Sequence, residues 1–349
     1  MRLRWTWALL AACAAGCASL ADRIVEPRSE AAFPAETIRA FDPAIVEAHA
    51  RTPQGVDLAY RVVAAAQRGM HARVERGRHA MTFHFSFDHA ATPRPLPVRG
   101  TVVYLHGWGM DGSTMLPWAW ALAERGYRGI AVDLRNFGDS SRAPAGFGPR
   151  EAGDVAALFD ILQARGQLQP PVYLFGVSYG ASTALFAEPA LRGRIAGIVA
   201  MEPYANAADG IRGLVRGMLA SDDAGIGPRP FRAYARHAYT PARIDEAIAE
   251  AGRRLDLDLA QVDVHDAVAH TQTCTLLLHG AHDTFLPAAA TRALAGLSPL
   301  QQYVELPVET HLSLPVRVDW LAAPLADWLA NTGAQCGRFV LPADPALSR

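Results

Sequence analysis

The sequence predicts an α/β fold, in which helices cover both faces of a mostly parallel β-sheet. From Gly100 onward, short apolar runs alternate with helical stretches, and such alternation is typical of parallel sheets with helical crossovers. Hydrophobic residues make up 50% of the 349 residues, so the chain can bury a large core. Polar residues suited to catalysis follow several apolar runs, at the carboxyl ends of predicted strands, where sheets of this class bind ligands.

The predicted strands of this sheet are short and apolar, and each is bounded by turn residues or by a helical stretch. They span residues 101–105, 129–132, 171–175, 195–200, 274–278 and 303–306. Helices are predicted over residues 114–125 and 150–165, and after the strand that ends at residue 175. The short length of the apolar runs favours buried strands over buried helices.

The chain before Gly100 is less regular. Residues 18–34 carry proline, serine and charged residues without periodicity, so we expect them to form a tether. Residues 36–50 are compatible with a short helix. Apolar and polar residues alternate strictly from Met81 to Asp88, which predicts a half-buried antiparallel strand at an edge of the sheet.

Residues 204–266 interrupt the alternation of strands and helices. They contain a loop rich in glycine and proline, followed by a helix with Thr240 as its N-cap and Pro241 in its first turn. The apolar face of that helix comprises Ile244, Ile248, Ala251 and Leu255. We interpret this interval as a mainly helical lid between two core strands, with a long surface excursion as the alternative.

The N-terminus has the pattern of a secretory signal. Basic residues at positions 2 and 4 precede an apolar stretch from Trp5 to Ala15, which is too short to span a bilayer. Cys13 and Cys17 each follow residues that resemble the lipobox of bacterial lipoproteins, in which the cysteine is acylated. Cys17 suits the usual length of a signal, whereas Cys13 has the better residue three places before it, Leu10. We prefer Cys17; a cleaved signal with incidental cysteines is the alternative.

A lipid-modified N-terminus implies an exported protein. We therefore expect an outer-membrane lipoprotein of the cell envelope that faces the periplasm or the cell surface and meets the membrane through its lipid anchor. The formal net charge of −1 argues against a nucleic-acid partner, which usually requires a basic excess. The sequence does not predict an oligomeric state.

These patterns divide the chain into six segments. They are residues 1–17 (signal peptide and lipobox), 18–75 (N-terminal tether and extension), 76–203 (first part of the core), 204–266 (helical lid), 267–335 (second part of the core) and 336–349 (C-terminal tail). The core is thus expected to fold from two parts that the lid separates.

Cys274 and Cys336 lie far from the N-terminus. In an oxidising compartment they could form a disulfide, but this requires Cα atoms within about 7 Å of each other, which the sequence does not reveal. Cys274 lies in an apolar run, so a buried free thiol is equally compatible with the pattern.

The segment Gly176-Val177-Ser178-Tyr179-Gly180 follows the apolar run 171–175 and precedes small, helix-compatible residues. A strand, a tight G-x-S-x-G turn and a helix in this order place the serine at a sharp corner with its hydroxyl exposed. Gly176 and Gly180 permit a close approach of the backbone that side chains would obstruct. Ser178 is therefore a candidate nucleophile.

A serine nucleophile needs a base and an acid that orients the base. Asp283 lies in the loop after the 274–278 strand, and His311 lies in the loop after the 303–306 strand. Serine, then aspartate, then histidine is the chain order associated with this architecture. Glu202, shortly after the 195–200 strand, is the alternative acid.

A serine nucleophile also needs donors for the oxyanion that its attack creates. The loop His106-Gly107-Trp108-Gly109 follows the 101–105 strand, and the backbone N–H of Trp108 is one candidate donor. The backbone N–H of Tyr179, the residue after the nucleophile, is the other.

Over about residues 98–331, the chain resembles the α/β-hydrolase superfamily. The matching elements are His106 to Gly109, Asp133 to Ser140, Gly176 to Gly180, Gly280 to Asp283, and His311. The resemblance implies a Ser–His–Asp hydrolase with no metal and no organic cofactor. His279 and His282 could suggest a metal pair, but their spacing in a glycine-containing loop is not that of a helical zinc motif, and we interpret both as structural.

The resemblance leaves several functions open. The first is hydrolysis of a carboxylic ester with a small or medium acyl group. Peptidase, thioesterase and lipase activity can use the same three residues. A non-catalytic, envelope-anchored binding protein with a hydrolase fold is an alternative from another class.

Overall fold

The computed structural model describes residues 19–27, 29, 33–77, 81–88, 93–220, 235, 237–333 and 336–346. The predicted signal peptide with Cys13 and Cys17 lies outside these residues, as does the glycine- and proline-rich loop of the predicted lid. Across the ranges that the structure describes, no helix combines the length and the apolar character needed to cross a membrane.

Eight strands form one central sheet. Four further strands form two separate two-stranded sheets. The described strands in chain order are β1 (Val46–Arg51), β2 (Asp57–Val63), β3 (Ala66–Gln67), β4 (Met70–Arg76), β5 (Met81–Phe87), β6 (Arg94–Pro95), β7 (Gly100–Leu105), β8 (Tyr127–Val132), β9 (Val172–Val177), β10 (Gly197–Met201), β11 (Cys274–Gly280) and β12 (Gln301–Leu306), and the four outside the central sheet are β3 to β6. The order in the sheet is β1-β2-β8-β7-β9-β10-β11-β12. Both pairings of β2 are antiparallel and the other five are parallel, which confirms the prediction of a mostly parallel sheet.

Helices cover both faces of the sheet. In chain order they are α1 (Leu20–Val25), α2 (Ala35–Phe41), α3 (Leu116–Ala123), α4 (Pro149–Ala164), α5 (Tyr179–Leu191), α6 (Ala207–Ala220), α7 (Pro241–Leu255), α8 (His265–Ala269), α9 (Ala288–Ala295) and α10 (Val318–Ala330). Alternate strand residues serve two cores: Val103 and Leu105 pack with α4 and α5, whereas Val102 and Tyr104 pack with α3 and α10. The strands are therefore buried on both faces, which explains their apolar sequences.

The described residues of the expected tether, namely 19–27, 29, 33 and 34, pack on the domain instead. Helix α1 begins with a capping box in which Ser19 and Asp22 satisfy each other's backbone N–H groups. The side chain of Ile24 is buried, and Asp22 accepts a hydrogen bond from Arg254 of α7 at 2.7 Å. A six-residue helix gains most of its stability from such contacts.

Two further expectations for the N-terminal part differ from the structure. Residues 36–50 form α2 and then β1, so the expected single helix is wrong. Because β1 and β2 belong to the central sheet, the core begins well before residue 76, where the sequence placed its boundary. Strand β5 is half-buried as predicted, but it pairs with β4 in a separate hairpin rather than at the edge of the central sheet.

The interval between β10 and β11 is mainly helical in its described part. It contains α6, α7 and α8. Thr240 caps α7 and accepts a hydrogen bond from the Arg243 backbone N–H at 3.4 Å. The four apolar residues predicted for the inner face of α7 are all buried, because they recur at helical spacing.

The C-terminal tail is attached to the sheet. Cys274 and Cys336 form a disulfide, so the alternative of a free Cys274 thiol is wrong. The side chain of Gln302 on β12 exchanges two hydrogen bonds, each of 2.7 Å, with the backbone of Phe339. Residues 336–346, which we call the C-terminal strap, thus contact the edge strand β12.

Candidate active site

Ser178 occupies the sharp corner between β9 and α5. Its φ of +50° lies in the left-handed region, which costs a residue with a side chain about 1–2 kcal/mol. The corner is tight because an added Cβ at Gly176 would lie 2.2 Å from the Gly180 carbonyl oxygen, and one at Gly180 would lie 2.1 Å from the Leu105 carbonyl oxygen. Only glycine fits at these two positions, and Ser178 is thereby held at the carboxyl end of the sheet.

The structure brings Ser178, His311 and Asp283 into one hydrogen-bonded chain. The Ser178 hydroxyl lies 3.1 Å from His311 Nε2, and His311 Nδ1 lies 2.8 Å from Asp283 Oδ2. The loops after β12 and β11 carry the histidine and the aspartate. Because neighbouring parallel strands end on the same side of the sheet, residues separated by 133 positions meet there.

Asp283 is held as a carboxylate by four neighbouring groups. Its Oδ1 accepts the backbone N–H groups of Phe285 at 2.7 Å and Leu286 at 2.8 Å. Its Oδ2 faces His311 and also His279, whose Nε2 lies 3.1 Å away. Burial alone would raise the pKa of Asp283, but the charge of His311 and the hydrogen bonds from both histidines lower it below its ordinary value of 3.8.

His279 has a place in this site that the sequence did not reveal. It is buried on β11, where its Nε2 also lies 2.7 Å from the carbonyl oxygen of Leu286 and its Nδ1 lies 2.9 Å from Thr291 Oγ1. His282 is exposed and does not share these partners. The two histidines therefore form no metal pair, and His279 instead fixes the position of Asp283.

Helix α6 contacts the loop of Asp283 through two of its glycines. An added Cβ at Gly213 would lie 2.1 Å from the Phe285 carbonyl oxygen, and one at Gly217 would lie 2.2 Å from the Phe285 ring. The Phe285 ring in turn stacks on His311, with centroids 5.3 Å apart. The helical insertion therefore packs directly against the residues that hold the histidine.

Glu202, the alternative acid, faces the same nitrogen of His311. It directly follows β10 with a φ of +55° and is completely buried. Its Oε2 lies 3.5 Å from His311 Nδ1, compared with 2.8 Å for Asp283. Burial and the negative charges of Asp283 and Glu309 raise the pKa of Glu202 well above its ordinary value of 4.5. Asp283 is thus the hydrogen-bonded carboxylate, whereas the surroundings of Glu202 favour its protonated form.

Within the described ranges, one group of side chains could hold a metal ion by its spacing, namely Glu202, Asp283 and His311. One ligand atom from each lies within 4.8 Å of the other two. However, the 2.8 Å between His311 Nδ1 and Asp283 Oδ2 is the length of a direct hydrogen bond. Two ligands of a tetrahedral zinc ion, each about 2.0 Å from the metal, lie about 3.3 Å apart. The geometry therefore fits a hydrogen bond between His311 and Asp283 better than metal binding.

The predicted oxyanion loop lies against the nucleophile. An added Cβ at Gly107 would lie 3.7 Å from the Ser178 Cβ, so the next backbone N–H, that of Trp108, is close to the serine. Tyr179 is the first residue of α5, where backbone N–H groups have no helical partner and carry the positive end of the helix dipole. Within the part of the chain that the structure describes, neither amide donates to a backbone acceptor. Both are thus available to an anion.

His106 holds the oxyanion loop in place. Its Nε2 accepts the Leu134 backbone N–H at 3.0 Å, which leaves Nδ1 to donate to the Gly107 carbonyl at 2.8 Å. Burial lowers the pKa of His106 to about 4, so the ring is neutral near pH 7. The Trp108 ring packs on Phe147, with centroids 4.9 Å apart, and closes the loop against the apolar core.

A buried ion cluster, which the sequence did not indicate, supports the loop of His311 from behind. Arg317 is fully buried and donates to Glu309, Asp319 and Asp344. Glu309 lies two residues before His311, and Asp344 belongs to the C-terminal strap. Arg76 of β4 also pairs with Glu309. No signal in the sequence could have revealed this cluster, because its members come from three separate segments.

Comparison with known structures shows the fold. An esterase from Pyrococcus furiosus is similar with a TM-score of 0.58 at 15% identity, over 87% of this chain and 97% of the esterase. An esterase from Exiguobacterium antarcticum has a TM-score of 0.53 at 17% identity, over 81% and 99% of the two chains. A protein described as a membrane phospholipase A and a bacterial virulence factor has a TM-score of 0.56 at 18% identity, over 83% and 87%.

Sequence comparison shows the family. A search of curated proteins finds no match. A family model described as alpha/beta hydrolase family matches residues 102–323, which is more than half of the chain and includes every residue of the hydrogen-bonded chain at Ser178. The protein therefore belongs to the alpha/beta hydrolase family.

Proposed function

We propose that this protein is a serine hydrolase that cleaves a carboxylic ester through an acyl-enzyme intermediate. One observation carries the proposal: Ser178, His311 and Asp283 form a continuous hydrogen-bonded chain at the carboxyl end of the sheet. Membership of the alpha/beta hydrolase family and the fold shared with two esterases support hydrolysis.

In the first half of the reaction, Ser178 Oγ attacks the carbonyl carbon of the ester while His311 Nε2 takes the serine proton. Asp283 holds the proton of His311 on Nδ1, so that Nε2 is free to act as the base, and its charge stabilises the imidazolium. The oxyanion is placed to accept hydrogen bonds from the N–H groups of Trp108 and Tyr179. Each such donor lowers the barrier by about 3–4 kcal/mol. His311 then protonates the leaving alcohol.

In the second half, water hydrolyses the acyl-enzyme. His311 Nε2 takes a proton from the water as its oxygen attacks the acyl carbon, and the same two N–H groups hold the second oxyanion. Collapse of that intermediate releases the acid and returns the proton to Ser178. The cycle needs no group that the chain does not supply.

The surroundings of the serine favour an apolar acyl group. Trp108, Phe285 and Leu312 are apolar residues of the loops that meet at Ser178, and Phe285 packs on His311. We propose an ester as the substrate because two of the similar structures are esterases. A lipid ester is the second candidate, since another similar structure is described as a membrane phospholipase A.

We further propose that the protein works in the cell envelope, with Cys17 as the acylated residue. The disulfide between Cys274 and Cys336 supports an oxidising compartment, because structural disulfides persist outside the cytosol. Mass spectrometry of the mature N-terminus tests this. Diacylglyceryl-modified Cys17 is the expected result, and an unmodified N-terminal residue beyond Cys17 would refute it.

The test of the activity compares the wild type with Ser178→Ala and with Ser86→Ala, an exposed serine on β5. A panel of p-nitrophenyl esters graded by acyl length, thioesters and aminoacyl arylamides distinguishes the substrate classes. We expect Ser178→Ala to lose ester turnover and labelling by a fluorophosphonate probe, while Ser86→Ala keeps both. Well-folded wild-type protein that neither turns over esters nor takes the label would instead support the binding role.

A further inference from the structure

Glu202 is a buried acid for which the mechanism above has no use. It is fully buried, and neither of its carboxyl oxygens has a hydrogen-bond partner among the described residues. A polar group buried without a partner is unfavourable. Its positive φ of +55° adds backbone strain. Two unfavourable features at one residue, beside the candidate base, call for a functional explanation.

The charged groups around Glu202 determine which acid holds the proton. Asp283 and Glu309 place negative charge near it, and His311 and His279 are the imidazoles of the same cluster. Two carboxylates this close cannot both ionise in a dry site. Asp283 receives three hydrogen bonds and also faces His279 Nε2 at 3.1 Å, whereas neither carboxyl oxygen of Glu202 has a partner at hydrogen-bond geometry. The single negative charge therefore resides on Asp283.

We propose that, in a site that works as described under Proposed function, Glu202 is a reserve acid for His311: a neutral positioning residue that ionises when the charge of Asp283 is absent. The geometry allows this, since Glu202 Oε2 is only 3.5 Å from His311 Nδ1. Once Asp283 is neutral, its repulsion no longer raises the pKa of Glu202, whereas burial and the charge of Glu309 still do, so that Glu202 ionises only as the pH rises. Glu202 then loses its proton to solvent, accepts the Nδ1–H and keeps Nε2 as the base.

The experiment compares wild type, Asp283→Asn, Glu202→Gln, the double variant of both, and Asp283→Asn combined with Glu305→Gln. Glu305 is a partly exposed acid on β12 that pairs with Arg292, so it is a matched control that removes a carboxyl group without facing Nδ1. The replacement of a triad aspartate by asparagine lowers kcat by about 10⁴-fold where no second acid is present. We expect the kcat of Asp283→Asn to fall by about 10²-fold, and a loss of about 10⁴-fold only when Asp283→Asn is combined with Glu202→Gln.

The pH dependence of ester turnover distinguishes the proposed role of Glu202 from a purely structural one, because a structural residue would leave this dependence unchanged. Ester turnover by Asp283→Asn should rise with pH as Glu202 ionises, and this limb should disappear in the double variant with Glu202→Gln but persist with Glu305→Gln. In the wild-type background, Glu202→Gln should have a much smaller effect than in the Asp283→Asn background, because glutamine preserves the neutral state. Thermal unfolding of each variant confirms that it is folded.

Two results would overturn the inference. Equal activity of Asp283→Asn and of its double variant with Glu202→Gln would show that Glu202 contributes nothing to the histidine. A loss in Glu202→Gln as large as that in Asp283→Asn would make Glu202 a primary acid instead of a reserve. Failure of the proposed function looks different, because the wild type itself would then take no fluorophosphonate label at Ser178.

Discussion

Removal of the disulfide between Cys274 and Cys336 is expected to lower the stability of the whole domain. The bond joins the first residue of β11, in the middle of the chain's second half, to the first residue of the described strap. The strap then reaches the buried cluster at Arg317 through Asp344. Without the bond, the strap remains attached mainly through that cluster and through Gln302 on β12.

The magnitude follows from the length of the loop that the bond closes. The two cysteines are 62 positions apart, and closing a loop of that length removes about 14 cal/mol/K of entropy from the unfolded chain, or about 4 kcal/mol at 25 °C. Unfolding entropy of about 2 cal/mol/K per residue gives about 0.7 kcal/mol/K for 349 residues. The melting temperature should therefore fall by about 6 °C.

The assay is thermal unfolding of the wild type and of a Cys274→Ala/Cys336→Ala variant, each with and without a reductant. We expect the wild type to lose stability when it is reduced, and the variant to melt at the lower temperature in both conditions. Melting temperatures within about 1 °C in all four samples would refute the reasoning, since the loop entropy would then not contribute. A reductant effect that persists in the variant would show that it arises elsewhere.

Three further predictions test the scaffold of the site. Burial holds the pKa of His106 at about 4 instead of 6.5. As the pH falls below 6.5, His106 therefore takes up a proton in the unfolded chain before it does so in the folded protein. The free energy of unfolding should fall by about 3 kcal/mol between pH 6.5 and pH 4. Urea titrations across this pH range should show that the free energy of unfolding changes less with pH in His106→Gln than in the wild type. An equal pH dependence in both proteins would contradict the lowered pKa of His106. Gly180→Ala forces a Cβ to 2.1 Å from the Leu105 carbonyl and should abolish soluble expression and the proposed hydrolase activity. An active, stable Gly180→Ala protein would disprove the close approach. Gly153→Ala is the control, because its Cβ meets nothing within 4 Å, and it should stabilise α4 by about 0.5–1 kcal/mol. Arg317→Met removes the fully buried cation of Glu309 and Asp344 and leaves them only the partly buried Arg76. It should cost about 3 kcal/mol in chemical denaturation, so a variant of unchanged stability would show that the cluster contributes little.

Much of the core was predictable because its strands are buried on both faces. Each of the six predicted core strands overlaps a strand of the sheet, since continuous apolar runs admit few other structures at that length. Strand β1 was not predictable in this way. Only Ala50 of its six residues is buried, and its conformation results from pairing with β2 at the edge of the sheet.

The hairpin of β4 and β5 illustrates a second limit. Alternation from Met81 to Phe87 predicts one buried face correctly, but a period of two does not identify the strand that pairs with it. The buried face packs on Trp120 of α3 and on Phe41 of α2, outside the central sheet. Contacts between elements far apart in the chain decide that choice.

The sequence by itself determined the order of strands and helices and the residues that follow each strand. The sequence was enough to select three candidate catalytic residues, Ser178, Asp283 and His311. Their signals are an apolar run, a glycine turn and a loop, and these depend only on residues that are neighbours in the chain. Only the tertiary structure decided between Asp283 at 2.8 Å and Glu202 at 3.5 Å from the same nitrogen, joined Cys274 to Cys336, and assembled the cluster at Arg317. Distances between remote segments depend on packing of the whole sheet, and they decide which of the two acids is within hydrogen-bond distance of the histidine.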